Sequence, residues 1–183
     1  MTDFVEDSNN PIKKVASSSY NVDMFVEIPY NSFVKYEYDK EMNKIRCDRI
    51  LNTAMSYPGN YGYIPETLSG DGDPLDILLI SDFSLFPGTV INVKIIGVLL
   101  TEDEKGNDEK IIAVPDEYID PRMKNIDNYS DLSNWTLSKI DHFFTHYKDN
   151  EENKWVKVKG FKNKNDALDV LKKSVERFTN YQI

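Results

Sequence analysis

The sequence predicts an α+β protein that is mainly β: a small closed barrel followed by C-terminal helices. Three observations carry this reading. Short β-type runs recur from residue 22 onward with turn residues between them, no helical period separates those runs, and the period switches to that of a helix only after Pro121.

Taken in order, residues 1–19 are polar, end in Ser17-Ser18-Ser19 and lack periodicity, which reads as a mobile arm or a peripheral segment. Residues 22–28, 33–38 and 44–50 are β-type runs, parted by Pro29-Tyr30-Asn31-Ser32 and by a turn at 39–43; their succession predicts an antiparallel meander. The aromatic stretch Asn60-Tyr61-Gly62-Tyr63-Ile64 lies between Pro58 and Pro65. Further strands are expected at 75–80, 89–100 and 110–114, punctuated by Gly88 and by the polar stretch 101–109. Leu137, Ile140, Phe144 and Tyr147 then fall at helical spacing, and 154–161 reads as one more strand. Asn165 is placed to cap a last helix whose apolar stripe is Ala167, Leu171, Val175 and Phe178. With no internal repeat and no linker, the 183 residues read as one domain, 1–183, long enough to bury a core.

Charge narrows the function. Against 22 basic residues stand 31 acidic ones, a formal net charge of −9, so bulk charge attracts neither nucleic acid nor anionic lipid. An anionic substrate would have to be met by a local basic patch or by metal ions. Cys47 is the only cysteine, which rules out an intrachain disulfide and fits a reducing compartment. Residues 1–10 hold Asp3, Glu6 and Asp7 and no Lys or Arg, unlike a secretory signal or a transit peptide. The most apolar run, 90–100, is broken by Asn92 and Lys94 and falls well short of the roughly 20 residues a membrane helix needs. The expectation is a soluble, cytoplasmic protein with no membrane partner.

The chemistry concentrates at Asp71-Gly72-Asp73-Pro74-Leu75-Asp76, three carboxylates on a stiff loop that runs into an apolar strand. Two carboxylates about 4 Å apart repel by about 4 kcal/mol at an effective dielectric near 20, so such a cluster calls for a cation or a proton. Hard oxygen ligands suit Mg²⁺, Mn²⁺ or Ca²⁺. The same letters also suit an exposed turn. An EF-hand loop fails, because Leu75, Asp76 and Asp82 stand where it needs an oxygen ligand, Gly and Glu. Elsewhere Asp103 and Asp108 precede Lys110; Glu27, Glu37 and Asp48 lie near Lys35 and Arg49; Lys148 follows Tyr147; and Tyr57 and Tyr61 offer further hydroxyls. Acids to hold metals, cations to hold phosphate oxygens and an acid to take a proton from water make up the inventory for metal-assisted attack on a phosphoryl group.

The acidic loop and its neighbours, in order, resemble the soluble inorganic pyrophosphatases of family I. The blocks are Glu27-Ile28-Pro29, Lys35-Tyr36-Glu37, Asp48-Arg49, Tyr57-Pro58 with residues 60–64, Asp103 with Asp108 and Lys110, and His146-Tyr147-Lys148-Asp149, continued by Trp155-Val156-Lys157-Val158. The resemblance covers about residues 22–162. It implies an OB-like closed five-stranded β-barrel with additional short strands and C-terminal helices. It also implies Mg-dependent hydrolysis of inorganic pyrophosphate to two orthophosphates by a metal-activated water. By similarity Asp71, Asp76 and Asp108 hold activating metals, Asp103 and Glu27 help to bind further Mg²⁺, and Asp73 is the general base. Lys35, Arg49, Tyr61, Lys110, Tyr147 and Lys148 bind the phosphates, with Glu37 and Tyr57 behind them. Several Mg²⁺ per site, Mn²⁺ as a substitute, and a homo-oligomer, a hexamer in short bacterial-type members, belong to the same expectation. One departure is that the spacing from Glu27 to Lys35 is a residue shorter than in the bacterial members.

His142 and His146 stand at i, i+4, a spacing that can bind zinc, but Phe143 occupies the place where the metalloprotease motif needs Glu; packing or a subunit contact is expected instead. Two rivals remain. One is a metal-dependent phosphohydrolase acting on a nucleotide or organic polyphosphate. The other is a non-catalytic OB-like binding module, although a nucleic-acid module wants aromatics within a basic surface, and these tyrosines are interleaved with acids.

Overall fold

The computed structural model describes residues 21–181; the arm read at 1–19 lies outside them. Its strands are β1 (Asn21–Ile28), β2 (Val34–Asp39), β3 (Lys44–Ile50), β4 (Asn60–Tyr63), β5 (Asp76–Leu79), β6 (Val90–Asp103), β7 (Gly106–Asn107), β8 (Lys110–Pro115) and β9 (Val156–Lys162). Two helices follow the switch of period, α1 (Asn134–His146) and α2 (Lys164–Tyr181). None of the helices described is long and apolar enough to cross a membrane.

Alternation in β1 is strict: Val22, Met24, Val26 and Ile28 are buried and the residues between them are not. Such a strand needs a core on one face, and pairing supplies it. β1 pairs with β4, β4 with β5, β5 with β8, β8 with β6, and β6 returns to β1, closing a ring of five strands. All these pairings are antiparallel except β5 with β8, which is parallel and buried on both faces, as parallel pairs require. Ile77, Leu79, Ile111 and Ala113 enter one core with Ala167, Leu171 and Val175 of α2. Leu78, Ile112 and Val114 enter a second with Ile140, Phe143 and Phe144 of α1.

Three expectations need correction. The meander does not form: β2 pairs only with β3, in a separate two-stranded sheet, because both edges of β1 are taken by β4 and β6. Neither β2 nor β3 has a buried residue with which to compete for the ring. The strand foreseen at 89–100 runs on to Asp103, since β9 and the short β7 supply partners for its polar end. The cap of α2 is Asn163 rather than Asn165: its side-chain oxygen accepts from Asp166 N–H and its carbonyl from Ala167 N–H. Ser174 joins the buried stripe, while Phe178 is only half-buried.

Gly62 marks the tightest approach in the ring. A Cβ there would lie 1.9 Å from the Phe25 carbonyl oxygen on β1, a contact only a backbone shift can relieve. Gly62→Ala is therefore expected to cost at least about 3 kcal/mol, the upper end for overpacking, measured as a lower urea midpoint at unchanged slope; a loss under about 0.5 kcal/mol, the scale of ordinary surface substitutions, would contradict the register.

Candidate active site

The acidic loop is held by its own backbone and by Thr67. Thr67 Oγ1 accepts from Leu75 N–H at 2.9 Å and donates to the Ile64 carbonyl, closing the base of the loop. Above it Ser69 N–H donates to Asp73 O and Gly72 N–H to Ser69 O, while Asp73 N–H reaches the Asp71 carboxylate at 3.1 Å. Gly72 sits at φ +91°, a conformation that side-chain-bearing residues resist. Leu68 N–H donates to Ser174 O, so α2 braces the loop from behind. Asp71 and Asp73 consequently project outward, with the Asp73 side chain 70% exposed.

Asp76 lies one step inside, as the first residue of β5 and opposite Lys110 of β8 in the parallel register. Lys110 is 2% exposed, and its ammonium lies 2.9 Å from Asp76 Oδ2, 2.9 Å from Asp108 Oδ1 and 3.0 Å from the Tyr61 hydroxyl. The Tyr61 hydroxyl itself donates to Asp76. Burial works against the Lys110 charge, but Asp76, Tyr61 and Asp108 outweigh it and hold the ammonium firmly protonated. Burial raises the Asp108 carboxyl despite Lys110, and it raises the Tyr57, Tyr61 and Tyr147 hydroxyls, which stay protonated donors.

The remaining charges close round this centre. Burial lifts the Glu27 carboxyl to about 7, although it accepts from Tyr38 N–H at 2.7 Å; it sits where the β1–β4 register shifts, an irregularity of the kind that re-aims a side chain. Burial raises Asp103 as well, but Lys148 at 2.9 Å and Lys105 N–H outweigh it and leave the carboxyl below its usual range. Lys35 faces Arg49 across β2 and β3, contacts Glu37 and lies 3.5 Å from Asp48.

These groups line one cavity of about 610 Å³. Every residue singled out for metal, substrate or proton transfer borders it: Glu27, Lys35, Glu37, Arg49, Tyr57, Tyr61, Asp71, Asp73, Asp76, Asp103, Asp108, Lys110, Tyr147 and Lys148. Lys40, Glu41, Glu104, Lys105 and Lys154 also border it and were not foreseen. Lys154 directly precedes the Trp155 block and could have been found there; Lys40 and Lys105 lie at hairpin turns, where a lysine carries no signal. Lys105 stands 4.0 Å from Asp73 Oδ2. His142 and His146 lie elsewhere, side by side on the exposed face of α1 with ring centres 4.8 Å apart and His146 Nδ1 2.8 Å from Asp149. They pack against no core.

Among the described residues, no three carboxylates, imidazoles or thiolates converge at ion-binding range. The donor set still suits a hard cation. It is all oxygen, and Lys110 and Tyr61 use Oδ2 of Asp76 while Lys110 uses Oδ1 of Asp108, which leaves the other oxygen of each for a metal.

A pocket built of alternating acids and cations beside a closed five-stranded ring defines a handler of small, highly charged anions. Comparison with known proteins gives the particular family. The inorganic pyrophosphatase family model matches residues 24–179. The inorganic pyrophosphatase of Saccharolobus solfataricus is 50% identical over 156 residues, covering 85% of this chain and 91% of that one. The solved Helicobacter pylori inorganic pyrophosphatase superposes with a TM-score of 0.85 at 48% identity, covering 87% and 94% of the two chains. The Thermus thermophilus inorganic pyrophosphatase gives 0.85 at 42% identity, covering 89% and 94%. The chain belongs to the inorganic pyrophosphatase family.

Lys110→Met would leave Asp76 and Asp108 facing each other without their shared cation. The expected cost is about 3–5 kcal/mol, as for breaking a buried ion pair from one side, read by chemical denaturation at neutral pH without divalent metal. A variant as stable as the wild type would show that the pair is not buried as described.

Proposed function

We propose that this enzyme hydrolyses inorganic pyrophosphate to two orthophosphates in a Mg²⁺-dependent reaction with Asp73 as general base. One observation carries the reading. The cavity is bordered by nine carboxylates and only seven cationic side chains, so a free polyanion gains nothing from its net charge, and a metal-complexed one does. Family membership and the all-oxygen donor set support the choice of pyrophosphate and of Mg²⁺, with Mn²⁺ able to substitute.

Asp71, Asp76 and Asp108 would hold activating metals, with Asp103 and Glu27 taking further ions that enter with substrate. Bound Mg²⁺ supplies an acidified water and neutralises phosphate charge. Asp73, exposed at the rim and fixed through its backbone, accepts the proton of the attacking water. Lys35 and Lys148 leave Glu37 and Asp103 for phosphate oxygens, and Arg49 presents a planar fork to them. Tyr61 and Tyr147 donate hydrogen bonds, since burial keeps their hydroxyls protonated. Lys110 stays in place and offsets charge at the metal end, while Glu37 and Tyr57 orient the groups in front of them.

The same reading places residues 1–183 in one domain, in the cytoplasm, as a homo-oligomer with a hexamer as the family expectation. Exposed Phe86, Trp135 and Val90 support an assembly. Sedimentation equilibrium should give a multiple of 21.2 kDa; a monomer at micromolar concentration would refute the oligomer.

Phosphate release from pyrophosphate, with and without Mg²⁺, tests the chemistry on the wild type and Asp73→Asn at matched folded concentration. Asn keeps the shape and removes the base, so kcat should fall by about 10²–10⁴ while the fold and the Mg²⁺ requirement persist. No release by the wild type with Mg²⁺ or Mn²⁺ would sink the hydrolase reading, and full activity in the variant would move the base elsewhere.

A further inference from the structure

We infer that Glu151, which no sequence block singled out, is a positioning residue that holds Arg49 and Lys154 for phosphate. The inference rests on reading the cavity as the pyrophosphate site. Arg49 and Lys154 both border the cavity, whereas Glu151 stands behind them and does not. Its Oε1 lies 3.0 Å from Arg49 Nε and its Oε2 lies 3.2 Å from Lys154 Nζ, with the Glu151 side chain 13% exposed. One carboxylate thus divides its two oxygens between two cations of the same wall.

The Arg49 contact has a particular geometry. Although 3.0 Å apart, Nε and Oε1 are not aligned as a hydrogen bond, and both atoms are shut off from solvent without another partner. It is an ion pair by distance, and water cannot replace either side. Removing the carboxylate would take the nearest counter-charge away from a guanidinium nitrogen shut off from solvent, so the guanidinium would have to turn toward another acid or toward water. While Glu151 faces Nε, the terminal nitrogens, one of which lies 3.7 Å from Asp48 Oδ2, are the ones that can turn a planar, bidentate fork to phosphate.

The pair also joins two separate parts of the fold. Arg49 belongs to β3, outside the ring, whereas Glu151 lies in the turn after α1, where its N–H donates to the Lys148 carbonyl at 2.9 Å. Beside it, Asn150 Nδ2 donates to the Asn52 carbonyl at 2.8 Å and Asn52 Nδ2 to the Asn150 carbonyl at 3.4 Å. This fastening makes Glu151 the point at which the turn carrying Lys148 and Lys154 sets the direction of an arginine on another sheet. The opposite reading, a carboxylate that merely competes with phosphate for two cations, predicts tighter binding when it is removed.

The test uses the full chain as wild type, Glu151→Gln and Glu151→Asp, each also in an Arg49→Lys background. Inorganic phosphate binding is followed by calorimetry, and pyrophosphate turnover by steady-state kinetics. Positioning predicts that Glu151→Gln weakens phosphate binding and raises KM by about tenfold, with kcat within about threefold. Glu151→Asp should recover much of the loss, and the Gln effect should shrink once Arg49 is Lys. Thermal midpoints within a few degrees of the wild type confirm folding; if Glu151→Gln does not fold, a KM for Glu151→Asp raised above the wild type with kcat within about threefold, and a smaller rise in the Arg49→Lys background, carries the same prediction. Equal or tighter phosphate binding by Glu151→Gln, a fall in kcat with KM unchanged, or an undiminished effect in the Arg49→Lys background overturns it. A wild type that binds phosphate but releases none from pyrophosphate defeats the hydrolase reading instead, and the calorimetry still decides the role of Glu151.

Discussion

The ammonium of Lys110, buried between Asp76 and Asp108, is the constraint on which the rest of the structure depends. Stripping charges of water costs several kcal/mol per ion, and only close, fully partnered oxygens offset it. Those oxygens come from three places in the ring: Asp76 at the start of β5, Asp108 just before β8 and Tyr61 on β4. Parallel pairing sets Asp76 against Lys110, and antiparallel pairing sets Tyr61 against Leu78. A slip of one residue would part Asp76 from Lys110 and exchange the side chains that enter the two cores. Apolar side chains on both faces of β5 and β8 resist that slip, so hydrophobic burial fixes the register and the register makes the buried charge tolerable.

Around this centre nearly every cation already has an acid. Lys148 is held by Asp103, Lys35 by Glu37 and Asp48, and Arg49 by Glu151. The pocket is thus close to self-neutral before anything enters. A phosphate that takes the lysines sets free the carboxylates that held them, and those are the oxygens a divalent cation seeks. An anion and a divalent cation that entered together would therefore favour each other's binding through shared partners, a coupling that needs no large movement. The nine carboxylates bordering the cavity, set against seven cations, would repel a bare polyanion from a chain that already carries −9.

Much of this was legible in the letters because period and chemistry coincide there. The alternation at 22–28, the apolar runs at 75–80 and 110–114 and the helical spacing after Pro121 each correspond to an element found. Asp71, Asp73 and Asp76 were marked by density of charge on a stiff loop, and the other charges by their order along the chain. What the letters hid was pairing. The meander failed because short-range order cannot say that β6, whose Val90 pairs with Phe25 of β1 across 65 residues of sequence, returns to close the ring. Asn163 and Asn165 are equally good caps by type, and only backbone geometry chose between them. Lys154 and Glu151 lie in a polar stretch without periodicity, where charge alone does not distinguish a cavity wall from a solvated turn.

The ring and the hairpin contribute unequally to the cavity. Asp76, Asp108, Lys110 and Tyr61 stand on or beside ring strands whose apolar faces are fully buried, so local opening there approaches the cost of unfolding. Lys35, Glu37 and Arg49 stand on β2 and β3, which have no buried residue; Tyr36 at the edge of the second core and Tyr38 against Phe25 hold them, together with polar links from Glu27 to Tyr38 N–H and between Asn52 and Asn150. Links of that kind contribute about 1 kcal/mol each, so this wall yields far more readily than the ring. The stretch from Glu27 to Lys35 forms the joint between the two. Asn31 takes a positive φ of 66° there, and the register shifts at Glu27 and again after Lys35. Both side chains still reach the cavity, so the joint is where this wall can adjust, while the end of the cavity around Lys110 stays fixed by the ring.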